Sequence, residues 1–348
     1  MINQIEQSNG NKRNIDNMVK INLGIEILRA YMSFSIVILH FLTNEYKTTF
    51  FIKFIFYCFP FYVPTFFLIS FYFIFNTISS KNIIKIKERF IRILIPYTIW
   101  PIFLWIWNII INYKNIKFNM ELIRTIILQL LVGHNFYKVY WFLFDLIIIT
   151  IILTIIRFSF KNYLTILRIS GPLVFSIKEY YHQSLSKYNY LIGSIAPLLI
   201  SYLYSLTGFF LGSRFIIKKL RNKRYIIFIL IFPEIILINK FKKLNNISKT
   251  FEPIIIDIII IFLFIFFALI PFETIKSKII NKIIKQLTSY TGGIYYIHVG
   301  VYIIFSKYFK ILAFGNFKSC IINYLFCYFI CLIGSFIFKK NKLKYLFL

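Results

Sequence analysis

The chain has 348 residues, of which 59% are hydrophobic and 21% aromatic, and its mean hydropathy is +0.74. That apolar share lies far above the value for a soluble domain, which excludes a water-soluble globular protein and points to a multispanning membrane protein. The formal net charge of +29 invites a nucleic-acid reading, but the basic residues occupy short connectors between apolar runs and form no compact patch with interleaved aromatics, so no nucleic-acid partner is expected.

Residues 1–22 are polar and lack an apolar core followed by a small-residue cleavage site, so no removable signal peptide is expected and the first span should anchor the chain uncut. Apolar runs then predict an all-α transmembrane bundle of about ten spans: 23–44, 51–78, 91–112, 139–157, 162–177, 190–213, 224–239, 253–271, 290–306 and 319–338. Residues 162–177 contain Arg168, Gly171 and Pro172 and read either as a span or as a broken or interfacial piece. Residues 23–338 form one membrane domain between cytoplasmic tails at 1–22 and 339–348. The largest polar connector, 113–138, is amphipathic and should lie on the membrane surface. Basic residues favour the connectors on the N-terminal side: Arg13, Arg89, Arg92, Arg157, Arg214, Arg221 and Arg224 fall inside and Arg124 outside, which places both termini in the cytoplasm.

The first span carries the strongest functional signal. Arg29 and His40 are eleven positions apart in LGIEILRAYMSFSIVILHF, about three helical turns, so they differ by only about 20° around the helix and roughly 16 Å along it. Glu26, Ser33 and Asn44 fall within about 40° of His40, giving a polar stripe on an apolar rod. Ionisable groups within a membrane are costly and usually face a bundle interior or a watery cavity. An Arg near the helix end can also snorkel to headgroups, whereas His40, deep in the span, cannot.

Further along, VPTFFLISFYF (63–73) places Pro64 and Ser70 in an aromatic span, where packing is the plainer reading. In KIKERFIRILIPY (85–97), Arg89 and Arg92 share a helix face at the cytoplasmic boundary, a position suited either to a positive-inside flank or to holding the phosphates of an anionic donor. Pro96 suggests a kink or the start of the true span. In YWFLFDL (140–146) the aromatics suit an interfacial belt, while Asp145 needs a partner, such as an Arg or His on a neighbouring span. His298, in SYTGGIYYIHVGVY (289–302), reads equally as a hydrogen-bonded structural histidine or a catalytic one. Cys58, Cys320, Cys327 and Cys331 lie in or beside apolar segments without metal-ligand spacing, so they read as packing residues and no metal is expected. His134 and His182 fall in expected external loops and receive no role.

In this order, Arg29 with His40, VPTFFLISFYF, RFIRILIPY, WFLFDL and GGIYYIH resemble the acyltransferase 3 family of membrane O-acyltransferases, over residues 22 to 306. The resemblance implies catalytic roles for His40 and Arg29, donor binding by Arg89 and Arg92, and supporting roles for Glu26, Asp145 and His298. It also implies acyl-CoA, by default acetyl-CoA, as a cytoplasmic co-substrate with no bound cofactor, and a glycan or glycolipid of the cell envelope as acceptor at the plasma (inner) membrane. Neutral imidazole, with a usual pKa of about 6.5, suits a general base or a transient acyl carrier. Glu26 stands where the family commonly has Asp, and Phe71 follows Ser70 where it often has Gly. Some members carry an extracytoplasmic hydrolase-like domain; this sequence contains none, so transfer is expected within the membrane domain or through a separate extracytoplasmic partner. A lipid-linked glycan flippase or other transporter also needs a polar stripe and many spans, and is the alternative.

Overall fold

A computed structural model describes residues 23–41, 62–111, 141–184, 190–213, 248–269, 278–308 and 317–340, with a few positions between 120 and 127. The span expected over 224–239, the early part of 51–78 and most of the 113–138 connector lie outside the described residues. Ten long helices make up the rest: α1 Leu23–Phe41, α2 Tyr62–Ser79, α3 Ile83–Ile111, α4 Trp141–Ser159, α5 Tyr163–Ser184, α6 Tyr190–Leu211, α7 Ser248–Leu269, α8 Lys278–Ser289, α9 Thr291–Tyr308 and α10 Phe317–Lys340. No strand occurs among the described residues, in keeping with the all-α expectation.

Two of these helices contain stretches long and apolar enough to cross a bilayer, Ile83–Trp107 in α3 and Trp141–Ser159 in α4. Five others hold shorter apolar segments of 10–17 residues. The outward faces carry large apolar side chains: Ile102, Phe103 and Ile106 on α3, Ile155 on α4, Leu173 on α5 and Phe329 on α10 are all exposed. Apolar groups facing outward as well as inward are what a hydrocarbon solvent permits and water penalises.

α1 sits at the centre, packed by α2, α7, α8, α9 and α10. Ile25, Leu28, Met32, Ile36 and Val37 are buried in this core. α2 makes the longest contact of the bundle with α6. Ser201, Ser205 and Gly208 of α6, continued by Gly212 in the turn just past its end, form one small-residue stripe, because spacings of four, three and four keep them on one face. A Cβ at Gly208 would fall on the Leu68 backbone of α2, and one at Gly212 would meet the Tyr72 carbonyl and lie 2.7 Å from Phe75 Cβ. The two glycines let the backbones touch, as small residues do where helices pack in a membrane.

α2 and α3 join through a three-residue corner. Lys81 adopts φ 52, the left-handed conformation that stops a helix, and Asn82 Oδ1 accepts from the Lys85 amide at 3.0 Å, capping α3. The corner between α4 and α5 abuts it: Arg157 donates to the Ser79 carbonyl at 2.9 Å through Nη2, satisfying an orphan acceptor at the end of α2. The Arg157 guanidinium also lies 4.4 Å from the Tyr163 ring centre. These two basic corners, expected on one side of the membrane, lie at the same end of the bundle.

Three details refine the sequence reading. α3 begins at Ile83 and continues through Pro96 and Pro101, so Pro96 is not the start of the span; its missing donor is tolerated within a helix already propagated from the Asn82 cap. Of the two readings of residues 162–177, the structure has the continuous one: α5 runs unbroken through Pro172 and packs on α6. Residues 278–289, expected as part of a connector, form the amphipathic helix α8.

Candidate active site

α1 places Arg29 at one end of its polar stripe. Glu26, one turn earlier and buried, presents its carboxylate 3.3 Å from Arg29 Nη1, while Arg29 Nη2 donates to Thr291 Oγ1 of α9 at 3.5 Å. Thr291 in turn donates to the Thr288 carbonyl at 2.9 Å, which ties it to the last turn of α8. The guanidinium is thus held from two sides, and Glu26 is the carboxylate that pairs it. His40 lies eleven residues further on the same unbroken helix, and its side chain lies outside the described residues. Ser33, between them, is buried beside Tyr328 of α10 at 3.4 Å, so this part of the stripe faces protein.

Arg29 opens onto a cavity of about 490 Å³, whose lining also includes Lys85, Arg89 and Arg92. Arg89 donates to Ser70 Oγ through Nη2 at 2.6 Å and lies 5.8 Å from the centre of the Phe71 ring. Phe71, which stands where the resemblance expects Gly, is fully buried and supplies an aromatic face for this cation. Arg89 Nε is buried and has no hydrogen-bond partner among the described residues. Arg92 is more exposed and pairs with Glu88 at 3.6 Å, a helical i,i+4 contact of little energetic weight.

The lining also includes aromatic rings. Phe66 of α2, Phe142 of α4 and Tyr295 of α9 all line the cavity, with ring centres 5.9 Å (Phe66–Phe142), 6.0 Å (Phe66–Tyr295) and 5.1 Å (Phe142–Tyr295) apart. All five sequence motifs, dispersed from Arg29 to Tyr295, therefore contribute side chains to one space. A half-open cavity lined by both cations and rings can hold a molecule that carries both anionic and apolar groups.

The remaining sequence candidates are placed elsewhere. Asp145 is buried and accepts from Ser201 Oγ at 2.7 Å. Its recorded partner is therefore a hydroxyl of α6 rather than the Arg or His the sequence suggested, because α4 packs its buried face on the small-residue stripe. His298 is fully buried; its Nδ1 donates to the Ile294 carbonyl at 3.2 Å and its ring contacts Tyr295, so it supports the wall from behind. Cys327 and Cys331 are buried free thiols, as packing requires. Among the described residues no three His, Cys, Asp or Glu side chains gather as a metal cage. Lys85, Ser70 and Thr291 were not singled out as site residues by the sequence.

Among the described residues the arrangement is an all-helical bundle with one cavity lined by Arg29, Lys85, Arg89, Arg92 and aromatic rings. A family model for an acyltransferase domain matches residues 22–340, and the chain belongs to that family, the acyltransferase 3 family. No curated protein and no solved structure matches it.

Proposed function

We propose that the chain is a multispanning O-acyltransferase of about ten spans, both termini cytoplasmic, in the plasma (inner) membrane. It moves an acyl group, by default acetyl, from cytoplasmic acyl-CoA to a hydroxyl of an envelope or surface glycan. The observation that carries the reading is the convergence of Arg29, Lys85, Arg89 and Arg92 on one aromatic-walled cavity, at the end of the helix that bears His40. The outward apolar side chains and the coincident basic corners support the membrane placement.

Donor phosphates are held by the arginines through charge-assisted hydrogen bonds, and the thioester extends along α1 toward His40. As general base, His40 takes the proton of the acceptor hydroxyl; the oxygen attacks the thioester carbonyl, the carbon–sulfur bond breaks, and the departing thiolate takes the proton from the imidazolium. As acyl carrier, the imidazole nitrogen attacks the thioester carbonyl, the carbon–sulfur bond breaks and the thiolate leaves with the ring's N–H proton; the acceptor hydroxyl then attacks the acyl-imidazole, the acyl–nitrogen bond breaks and the hydroxyl proton returns to the ring. Arg29 holds the donor phosphates, with Glu26 and Thr291 fixing its direction.

Transfer of label from acyl-CoA in purified membranes tests the reading. His40→Ala should abolish transfer at unchanged protein abundance, and retained transfer would refute the assignment. Movement of a glycolipid without acyl-CoA would instead make the protein a carrier.

A further inference from the structure

A second concavity, of about 350 Å³, opens on the bundle surface between α5, α6 and α7. Its walls are aliphatic and aromatic, among them Leu206, Phe210 and Ile261, and it carries one charged residue, Arg168. Thr207, also on the wall, donates its hydroxyl to the Leu203 carbonyl of its own helix. Arg168 is exposed and forms no hydrogen bond or ion pair among the described residues. It lies six residues beyond Asn162 in the corner, about 9 Å along α5 from that basic end of the bundle. A lone arginine that merely snorkels needs no apolar trough beneath it. Here the trough is present, and Gly171, one turn from Arg168, keeps its floor open: a Cβ there would meet only Leu206 Cδ1, at 3.8 Å.

We propose that this groove binds one anionic glycerophospholipid from the leaflet facing the two basic corners, with the phosphate on Arg168 and an acyl chain over Gly171. The charge on Arg168 selects an anionic headgroup, and the groove's size falls within the range of small-molecule sites. The site is separate from the Arg29 cavity and does not depend on the reaction assigned there.

Native mass spectrometry of the delipidated full chain, titrated with phosphatidylglycerol or phosphatidylcholine of the same acyl chains, is the test. The wild-type chain should retain one phosphatidylglycerol at concentrations at least about tenfold lower than phosphatidylcholine. Arg168→Gln should erase that preference, whereas Lys161→Gln, which removes the same charge from the nearby corner outside the groove, should preserve it. Gly171→Leu should weaken retention of both lipids by filling the floor. The proposal is overturned by equal binding of the two lipids to the wild type or by like effects of the Arg168 and Lys161 substitutions. It is equally overturned if Gly171→Leu binds normally, or if phosphatidylglycerol cannot displace a heavier lipid-linked glycan that copurifies.

Discussion

Glu26 holds Arg29 within its own helix, its carboxylate 3.3 Å from the guanidinium, while the other side of that guanidinium reaches Thr291 of α9. A buried acid beside a half-exposed base keeps a single orientation where an unpaired arginine would sample many. Glu26→Gln keeps the shape and removes the charge. Hydrogen bonds to charged groups contribute about 1.5–3 kcal/mol, so kcat/KM for the acyl donor should fall by about tenfold or more, read in a labelled acyl-CoA assay. Thr291→Val should cause a smaller loss in the same direction.

Arg89 makes a short contact with Ser70 and rests near Phe71, a placement that depends on a planar fork. Arg89→Lys preserves charge but loses both the fork and the stacking. Donor KM is expected to rise by about tenfold, with abundance little changed. Arg92→Lys, at a more exposed position, should change it by only a few-fold. Equal effects of the two would remove the distinction drawn between them.

Asp145 accepts from Ser201 between α4 and α6 and does not line the cavity. Ser201→Ala leaves a buried carboxylate short of a donor, at a cost of about 1–3 kcal/mol. The midpoint of thermal unfolding in detergent should drop while donor KM stays constant. A changed KM with unchanged unfolding would give Asp145 a direct part in the reaction.

Gly208 faces the α2 backbone with no space for a side chain. Gly208→Ala should destabilise the protein by about 1–3 kcal/mol or more through overpacking, seen as lower yield of folded protein and earlier thermal aggregation. Gly171→Ala, with only an ordinary contact to meet, serves as the comparison and should be near neutral.

Much of this arrangement was legible in the chain. Apolar runs located most of the helices because a membrane span is defined by composition over a length, and both are local properties. α8 escaped that reading because Lys278, Lys282 and Lys285 interrupt its isoleucines; only a 3.6-residue period reveals it. Arg29, Arg89 and Arg92 were recognisable because charge in an apolar context is costly wherever the fold brings it. Ser70 and Thr291 carry no such cost and gain meaning only from the arginines that reach them, across sequence separations that no local pattern encodes. The partner of Asp145 was hidden for the same reason, although the Ser201, Ser205, Gly208, Gly212 spacing does mark a close helix contact in the sequence. His298 is fully buried beside Ile294 and Tyr295, a burial that no local pattern in the sequence reveals.

The bare contact between α2 and α6 has a mechanical consequence. With Leu68 and Tyr72 already resting on glycine, α2 has no clearance to retreat toward α6. The side of the cavity that bears Phe66 and Ser70 is therefore fixed against movement toward α6, so a bulky donor gains no room by displacing α2 in that direction.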